Sequence, residues 1–316
     1  MTHYLAAFDA ARFAPLNARS FAAQRSMDIQ IFLIQVLNSV QYGLLLFLVA
    51  SGLTLIFGIM GVINLAHGSF YMLGAYAAFV LSSLTGSLFW AIALGVVLAV
   101  VFGYLLEWAF FSFLYRRDHL QQVLLTYGLI LVFEELRSIV VGDDVHGVPV
   151  PTALSASIPL GSTMSYPVYN LFISAACLAV VALLFLLLRR TRLGMMIRAG
   201  ASNREMTRSL GIDIAFLFRV VFALGVALAA FAGMVNAPAS SVYPGMGNQV
   251  LIVCFVVVVI GGIGSVTGAL VAALLIGFID TFGKVFVPEY SGMLVYLLMA
   301  VVLLWRPEGL FREKAT

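Results

Sequence analysis

Apolar runs close to 20 residues long, set apart by short polar breaks, recur from Ile31 to Leu304. A helical run of that length crosses a hydrocarbon core of about 30 Å, so the pattern predicts a bundle of membrane-crossing helices. Clear runs lie at 31–50, 88–112, 120–141, 168–188, 214–236 and 290–305, and two glycine-rich stretches, 51–84 and 250–283, need dividing. Charge bias orients them. Arg116 and Arg117, the six arginines from Arg189 to Arg208, and Arg306, Arg312 and Lys314 mark cytoplasmic breaks. The stretch 142–167 has Asp143 and Asp144 but no Lys or Arg, and 237–249 has no charge, so both face outside. Passing from an outside loop at 237–249 to a cytoplasmic tail takes an odd number of crossings. With one helix at 290–305, the stretch 250–283 therefore crosses twice. Its break falls at Gly261-Gly262-Ile263-Gly264-Ser265, where each glycine costs a helix about 1 kcal/mol. The same parity, with a cytoplasmic leader, asks three crossings of 31–84. The expected fold is an all-α polytopic membrane protein of about 10 transmembrane helices, alternatively 8, some broken by glycine.

Composition agrees: 63% of the 316 residues are hydrophobic and 10% charged, against about 25% charged in soluble domains. Nothing resembles a soluble catalytic domain. The net charge of +3 sits in clusters that positive-inside placement explains, which gives nucleic-acid binding no support. Cys177 and Cys254 both lie inside apolar runs and suggest neither a disulfide nor a metal site. Residues 1–27 carry Arg12, Arg19 and Arg25 without the continuous apolar core of a signal peptide. They read as an N-terminal leader, either a disordered tail or an over-called start ahead of Met27. Residues 28–312 form a single transmembrane domain.

Two constellations are candidates for the translocation path. In FGIMGVINLAHGSFYMLGAY, residues 57–76, Asn64 and His67 stand amid apolar sequence with Ser69 and Tyr71 close behind. A buried amide or imidazole must find a partner or face water, so this segment either lines a pore or glues a tight helix crossing. In VVVVIGGIGSVTGALVAALLIG, residues 256–277, Gly261, Gly262 and Gly264 open the helix, while Gly264, Gly268 and Ala272 form a ladder for close packing. Two interrupted stretches in comparable places of the two halves point to a path near a repeat interface. Ionisable residues within the runs are few: Glu107, Glu134 and Glu135 with Arg137, and Asp280 with Lys284. The i,i+3 and i,i+4 spacings predict mutual neutralisation.

Between Arg189 and Gly211 lie six of the seventeen Lys and Arg residues, the one sizeable basic surface a soluble partner could grip. Ser202 is placed to cap a helix from Asn203 to Leu210, with Gly211 just past its end. That helix presents Met206 and Leu210 beside Arg204 and Arg208. The mixed face suits either membrane lipid headgroups or a cytoplasmic protein. Enzyme signatures are missing: there is no HExxH, GxSxG or GxxxxGK[ST] motif, and His3, His67, His119 and His146 are too scattered for a metal cluster. No catalytic or metal site is assigned, and no cofactor belongs to this chain. Energy from nucleotide hydrolysis would come from another chain.

GIMGVINLAHGSFYMLGAYAAF, RLGMMIRAGASNREMTRSLGI, VVIGGIGSVTGALVAALLIG and WRPEGLF, in that order over residues 28–312, resemble segments of the permease subunits of branched-chain or hydrophobic amino-acid ABC importers. The resemblance implies a non-enzymatic transport subunit of the bacterial inner membrane that alternates between outward-open and inward-open states. It would pair with a related permease as a heterodimer, dock two cytoplasmic ATPases holding ATP and Mg, and receive substrate from a periplasmic binding protein. The loop 189–213 would be the coupling element, with Arg198, Ala199, Asn203, Met206, Leu210 and Gly211 on the family's pattern. Thr207 stands where alanine is common, with an expected effect on the ATPase groove. Ser69 stands where many amino-acid permeases carry glutamate, which leaves urea, short amides and small aromatic acids as alternative solutes. A stand-alone secondary carrier is the alternative mechanism.

Overall fold

The computed structural model describes residues 6–160 and 164–311, with side chains from Ile29 onward except that of Arg116. Arg312 and Lys314, and the side chains of Arg12, Arg19 and Arg25, lie outside the described residues. Helix α1 spans Ala6–Met60, α2 His67–Thr85, α3 Leu88–Ala109 and α4 His119–Val141. A hairpin of β1 (Ser157–Pro159) and β2 (Ser165–Pro167) pairs Ile158 with Tyr166 and leads into α5, Val168–Arg190. Two short helices follow, α6 (Arg192–Ser202) and α7 (Arg204–Ser209), then α8 (Ile214–Asn236), α9 (Met246–Gly261), α10 (Val266–Phe286) and α11 (Ser291–Trp305). Seven helices are long and apolar enough to span a membrane: α1 from Ile29, α2, α3, α5, α8, α10 and the last, counted from Pro288. The 16-residue α9 and the more charged α4 complete a bundle of nine among the described residues, between the eight and ten expected.

The division of 250–283 falls where glycine predicted it. Gly262 and Gly264 adopt φ values of 94° and 85°, which a residue with a Cβ rarely takes, and the chain turns from α9 into α10 there. The three crossings expected of 31–84 are instead two. From Ile29 to Met60, α1 is one unbroken helix, because in lipid a broken backbone has no water to satisfy it. Its glycines serve contact rather than interruption. A Cβ on Gly52 would stand 2.7 Å from the Gly225 carbonyl of α8, and one on Gly43 would stand 2.9 Å from Leu274 Cα of α10. Most of the apolar window of α1 is buried, 89% against 6% for the last helix, so α1 is the hub and α11 lies at the periphery.

This correction reverses the leader. The Met60 end of α1 lies beside Gly264 and the Arg204 side chain, at the arginine-bearing end of the bundle. Asn38 and Ser39 lie at the other end, beside Tyr166 and Gly277. Two helices, not three, connect the leader to Thr85, so α1 enters from the same side as the 86–87 turn and the 142–167 stretch, opposite the arginines. By the positive-inside rule that side is external.

Both local ion pairs form. Lys284 Nζ lies 2.6 Å from Asp280, and Arg137 Nε lies 3.5 Å from Glu134. Arg137 Nη1 also donates to the Gly142 carbonyl (2.7 Å) and to Asp143 (2.9 Å), which locks the external end of α4 and holds the Asp143 carboxyl below its ordinary range. Glu107 of α3 has a partner that local spacing did not reveal. Its carboxylate, 1% exposed, accepts from Tyr115 and lies 3.6 Å from Arg219 Nε of α8.

Two outcomes check this description. Cysteines replacing Ile29 and Ser155 are expected to react with an impermeant thiol reagent from outside, and one replacing Ser202 only after permeabilisation; protection of Ile29→Cys alone would restore a third crossing. Arg219→Leu leaves a buried carboxylate unpaired and is expected to cost about 3–5 kcal/mol. The detergent-solubilised protein should melt earlier, and adding Glu107→Gln should recover most of the loss.

Candidate functional site

The bundle has two interrupted helix pairs that run in opposite senses. After α1 ends at the arginine end, residues 61–66 turn back into the bundle and α2 begins deep inside. His67 Nε2 donates to the Val49 carbonyl at 2.9 Å, eleven residues before the end of α1, or about 16 Å along its axis. After α8 ends at the external side, residues 237–245 dip inward to the start of α9. The first turns of α2 and α9 meet, and a Cβ on Gly247 would stand 2.7 Å from the Gly68 carbonyl. Only glycine at both places permits this approach. The inverted arrangement is the kind that transporters build around a path. The counterpart of the break after α1 is thus 237–245, rather than the Gly261–Ser265 turn that the sequence suggested.

The residues singled out for the path fall in three places. Asn64 and His67 are completely buried at the start of α2, where Asn64 Oδ1 accepts from the Ala66 backbone at 3.1 Å. Asn64 Nδ2 and His67 Nδ1 have no partner there. Ser69 is buried beside them, and Tyr71 points away to α8, its hydroxyl accepting from Asn236 Nδ2 at 2.8 Å. Gly261, Gly262 and Gly264 lie at the arginine end, packed against Gly268, the Glu308–Phe311 segment and Gly58. The Leu310 and Phe311 amides donate to the Ile260 and Gly261 carbonyls at 2.8 and 3.3 Å and so close the end of α9. The structure does not bring these three groups together.

It does assemble a cavity that sequence spacing could not reveal. At the external end, α1, α5, α8, α10 and the start of the 237–245 stretch line an open cavity of about 450 Å³. Gln35, Asn38, Gln41 and Tyr42 of α1, Asn170 of α5, Asn236 of α8 and the Asp280–Lys284 pair of α10 supply polar lining; Leu45, Ala239 and Val285 supply apolar lining. Close packing of Gly43 and Gly277 between α1 and α10 fixes two of its walls. The hairpin residue Tyr166, 3% exposed, sets its hydroxyl 3.0 Å from Asn38 Oδ1 and 3.3 Å from Gln41 Oε1. Burial raises that phenol above its ordinary value and keeps it a neutral donor. These Asn and Gln residues stand in apolar helices and are not singled out from the sequence; only the fold shows that five amides from three helices face one space.

At the arginine end, α6 and α7 form a compact handle between α5 and α8. Thr191 caps α6, accepting from the Gly194 amide at 3.1 Å. The cap of α7 is Asn203, accepting from Met206 N at 3.0 Å; Ser202, expected in that role, closes α6 instead. Gly211 follows with φ 85°. Met206 (62% exposed) and Leu210 (73%) stand out from the surface, and Arg198, Ala199 and Asn203 are exposed beside them. The Arg198 guanidinium donates to the Leu188 carbonyl at the end of α5. Thr207 is buried and donates to the Asn203 carbonyl at 2.7 Å, so it stabilises the turn rather than shaping an outer groove. Arg204 reaches inward over Phe218 (5.8 Å) and against Gly61, the positive-φ residue that ends α1.

A family profile described as the branched-chain amino acid transport system / permease component matches residues 35–303. The chain belongs to the branched-chain amino acid permease family. It is 30% identical over 298 residues to the high-affinity branched-chain amino acid transport system permease protein BraD of Pseudomonas aeruginosa, covering 90% of this chain and 96% of that one. Likeness to LivH of Escherichia coli K12 is 29% over 296 residues, 88% of this chain and 95% of the relative. Likeness to LivM of the same organism is 28% over 282 residues, 82% of this chain and 66% of the relative. This permease is a multi-pass membrane protein, and its relatives are transport subunits rather than enzymes.

Proposed function

We propose that this permease is one membrane half of an ATP-driven importer of branched-chain and other hydrophobic amino acids in a bacterial inner membrane. Its place in the family carries the reading, and the handle at the arginine end supports it. Two cytoplasmic ATPases holding ATP and Mg supply the energy, a periplasmic binding protein delivers the solute, and a related permease completes the path. Relatives named both LivH and LivM favour an unlike pair.

The handle is built to transmit force. It interrupts the chain between α5 and α8, so a push on α6 and α7 reaches α8 directly, and α8 packs against α1, α2 and α3. Arg204 adds a second link, to the end of α1 and the break at 61–66. Closure of the ATPases on ATP moves this handle, and differential contact in the two states drives the bundle between outward-open and inward-open forms. Met206 and Leu210 are the apolar anchors of the ATPase contact, with Arg198, Ala199, Asn203 and Gly211 around them.

Purified permease alone is expected to move no leucine into proteoliposomes, whereas the assembly with both ATPases, the second permease and the binding protein does so on ATP addition. Uptake by the single chain would establish a stand-alone carrier. Met206→Asp/Leu210→Asp places two charges in a desolvated contact. It is expected to lower ATPase co-purification about tenfold or more while the permease still inserts, and undiminished association would reject this contact.

A further inference from the structure

The external cavity offers matched hydrogen-bonding chemistry. The single hydroxyl proton of Tyr166 is shared between the carbonyl oxygens of Asn38 (3.0 Å) and Gln41 (3.3 Å), and the NH2 groups are the donors these residues bring to the cavity. Asn236 spends its NH2 on Tyr71 and Ser240, at 2.8 and 3.0 Å, which leaves its Oδ1 as an acceptor. Asp280 and Lys284 add one full charge of each sign, and Lys284 Nζ lies 5.7 Å from the centre of the Tyr42 ring, a surface that attracts a cation. The pair is asymmetric: the Asp280 side chain is 15% exposed and that of Lys284 is 62% exposed, so the lysine is free to swing while the carboxylate stays in place.

We infer that this cavity is the first permease site for the α-amino acid zwitterion on its way from the binding protein. The inference rests on the importer reading above and gives it a substrate site. The ligand's ammonium takes the place of Lys284 at Asp280 and donates to Asn236 Oδ1. Its carboxylate is held by the NH2 groups of Asn38 and Gln41 and by the displaced Lys284. The aliphatic side chain lies along Leu45, Ala239 and Val285. A volume of about 450 Å³ suits a ligand of this size.

Charge balance favours this ligand over simpler ions. The empty cavity contains a neutral ion pair, and a zwitterion exchanged into it leaves the total neutral, so neither state buries a net charge. A carboxylic acid without the ammonium would leave Asp280 facing another anion. An amine without the carboxylate would still pair with Asp280 while the exposed Lys284 turned to water, so the site discriminates against anions more than against cations.

The test is L-leucine uptake by the complete importer in proteoliposomes, read as leucine moved per ATP hydrolysed, in the wild type and in Asp280→Asn/Lys284→Gln. This double variant keeps side-chain volume and removes both charges. The ratio is expected to fall about tenfold or more, the worth of a lost charge-assisted hydrogen bond, while Asp280→Glu retains most of it. An unchanged ratio in the double variant overturns the proposal. If that variant fails to assemble, Gln41→Leu is read the same way: a several-fold fall supports the site, and wild-type coupling overturns it. A wild-type importer that moves no leucine would sink the importer reading itself, and this proposal with it, which is a different result from wild-type uptake unaffected by the variants.

Discussion

Close backbone approach of α8 to α1 and α2 is the contact on which the rest of the bundle depends. Lipid tails are as apolar as leucine, so burying apolar side chains gives helices little reason to associate in a membrane; tight van der Waals contact must do that. Gly52 of α1 meets Gly225 of α8, and Gly74 of α2 packs on the backbone of Ala230. A methyl group at Gly52 or Gly74 would collide with main chain, which cannot step aside as a flexible side chain can. From this central packing the helices grade outward, from buried α1 to exposed α11.

Polar groups follow a second rule, that inside a membrane each must be paired or put to use. Glu107, Tyr115 and Arg219 tie α3 to α8 at the arginine end, and Arg137 ties α4 to its own following turn at the other. Those contacts join elements of the bundle, with Glu107 Oε2, Arg137 Nε and Arg219 Nε held by ion pairing alone at 3.5–3.6 Å. The external cavity differs, since its amides and its ion pair come from four helices and face a space. The buried Asn64 and His67 stand between these cases. Asn64 makes a local hydrogen bond that shapes the start of α2, His67 makes one across to α1, and each retains one unpartnered nitrogen where two interrupted helices meet.

The two ends of the bundle differ in construction. At the arginine end α6 and α7 are short, exposed and directly continuous with α5 and α8. At the opposite end α1, α5, α8 and α10 converge on the amide-lined cavity. Helices α1 and α8 take part in both ends, and the two breaks, 61–66 and 237–245, lie beside them. The helices that follow the two breaks, α2 and α9, meet by their first turns inside the bundle.

Much of this was legible in the amino acids because it depends on neighbours along the chain. Apolar run length set the helices, arginine clusters marked one end of the bundle, Gly262 and Gly264 marked the α9–α10 turn, and i,i+3 and i,i+4 spacing paired Arg137 with Glu134 and Lys284 with Asp280. The first 84 residues were misjudged because a glycine in a membrane helix can signal either a break or a contact. Gly43 and Gly52 proved to be contacts, a distinction made by the partners α10 and α8. Likewise the Glu107–Arg219 pair and the amide cavity unite residues more than a hundred positions apart. Local sequence determined which segments are helical and which end is basic; only the folded bundle decided which faces meet, because in lipid that choice rests on the fit of surfaces from distant segments rather than on hydrophobicity, which nearly every segment shares.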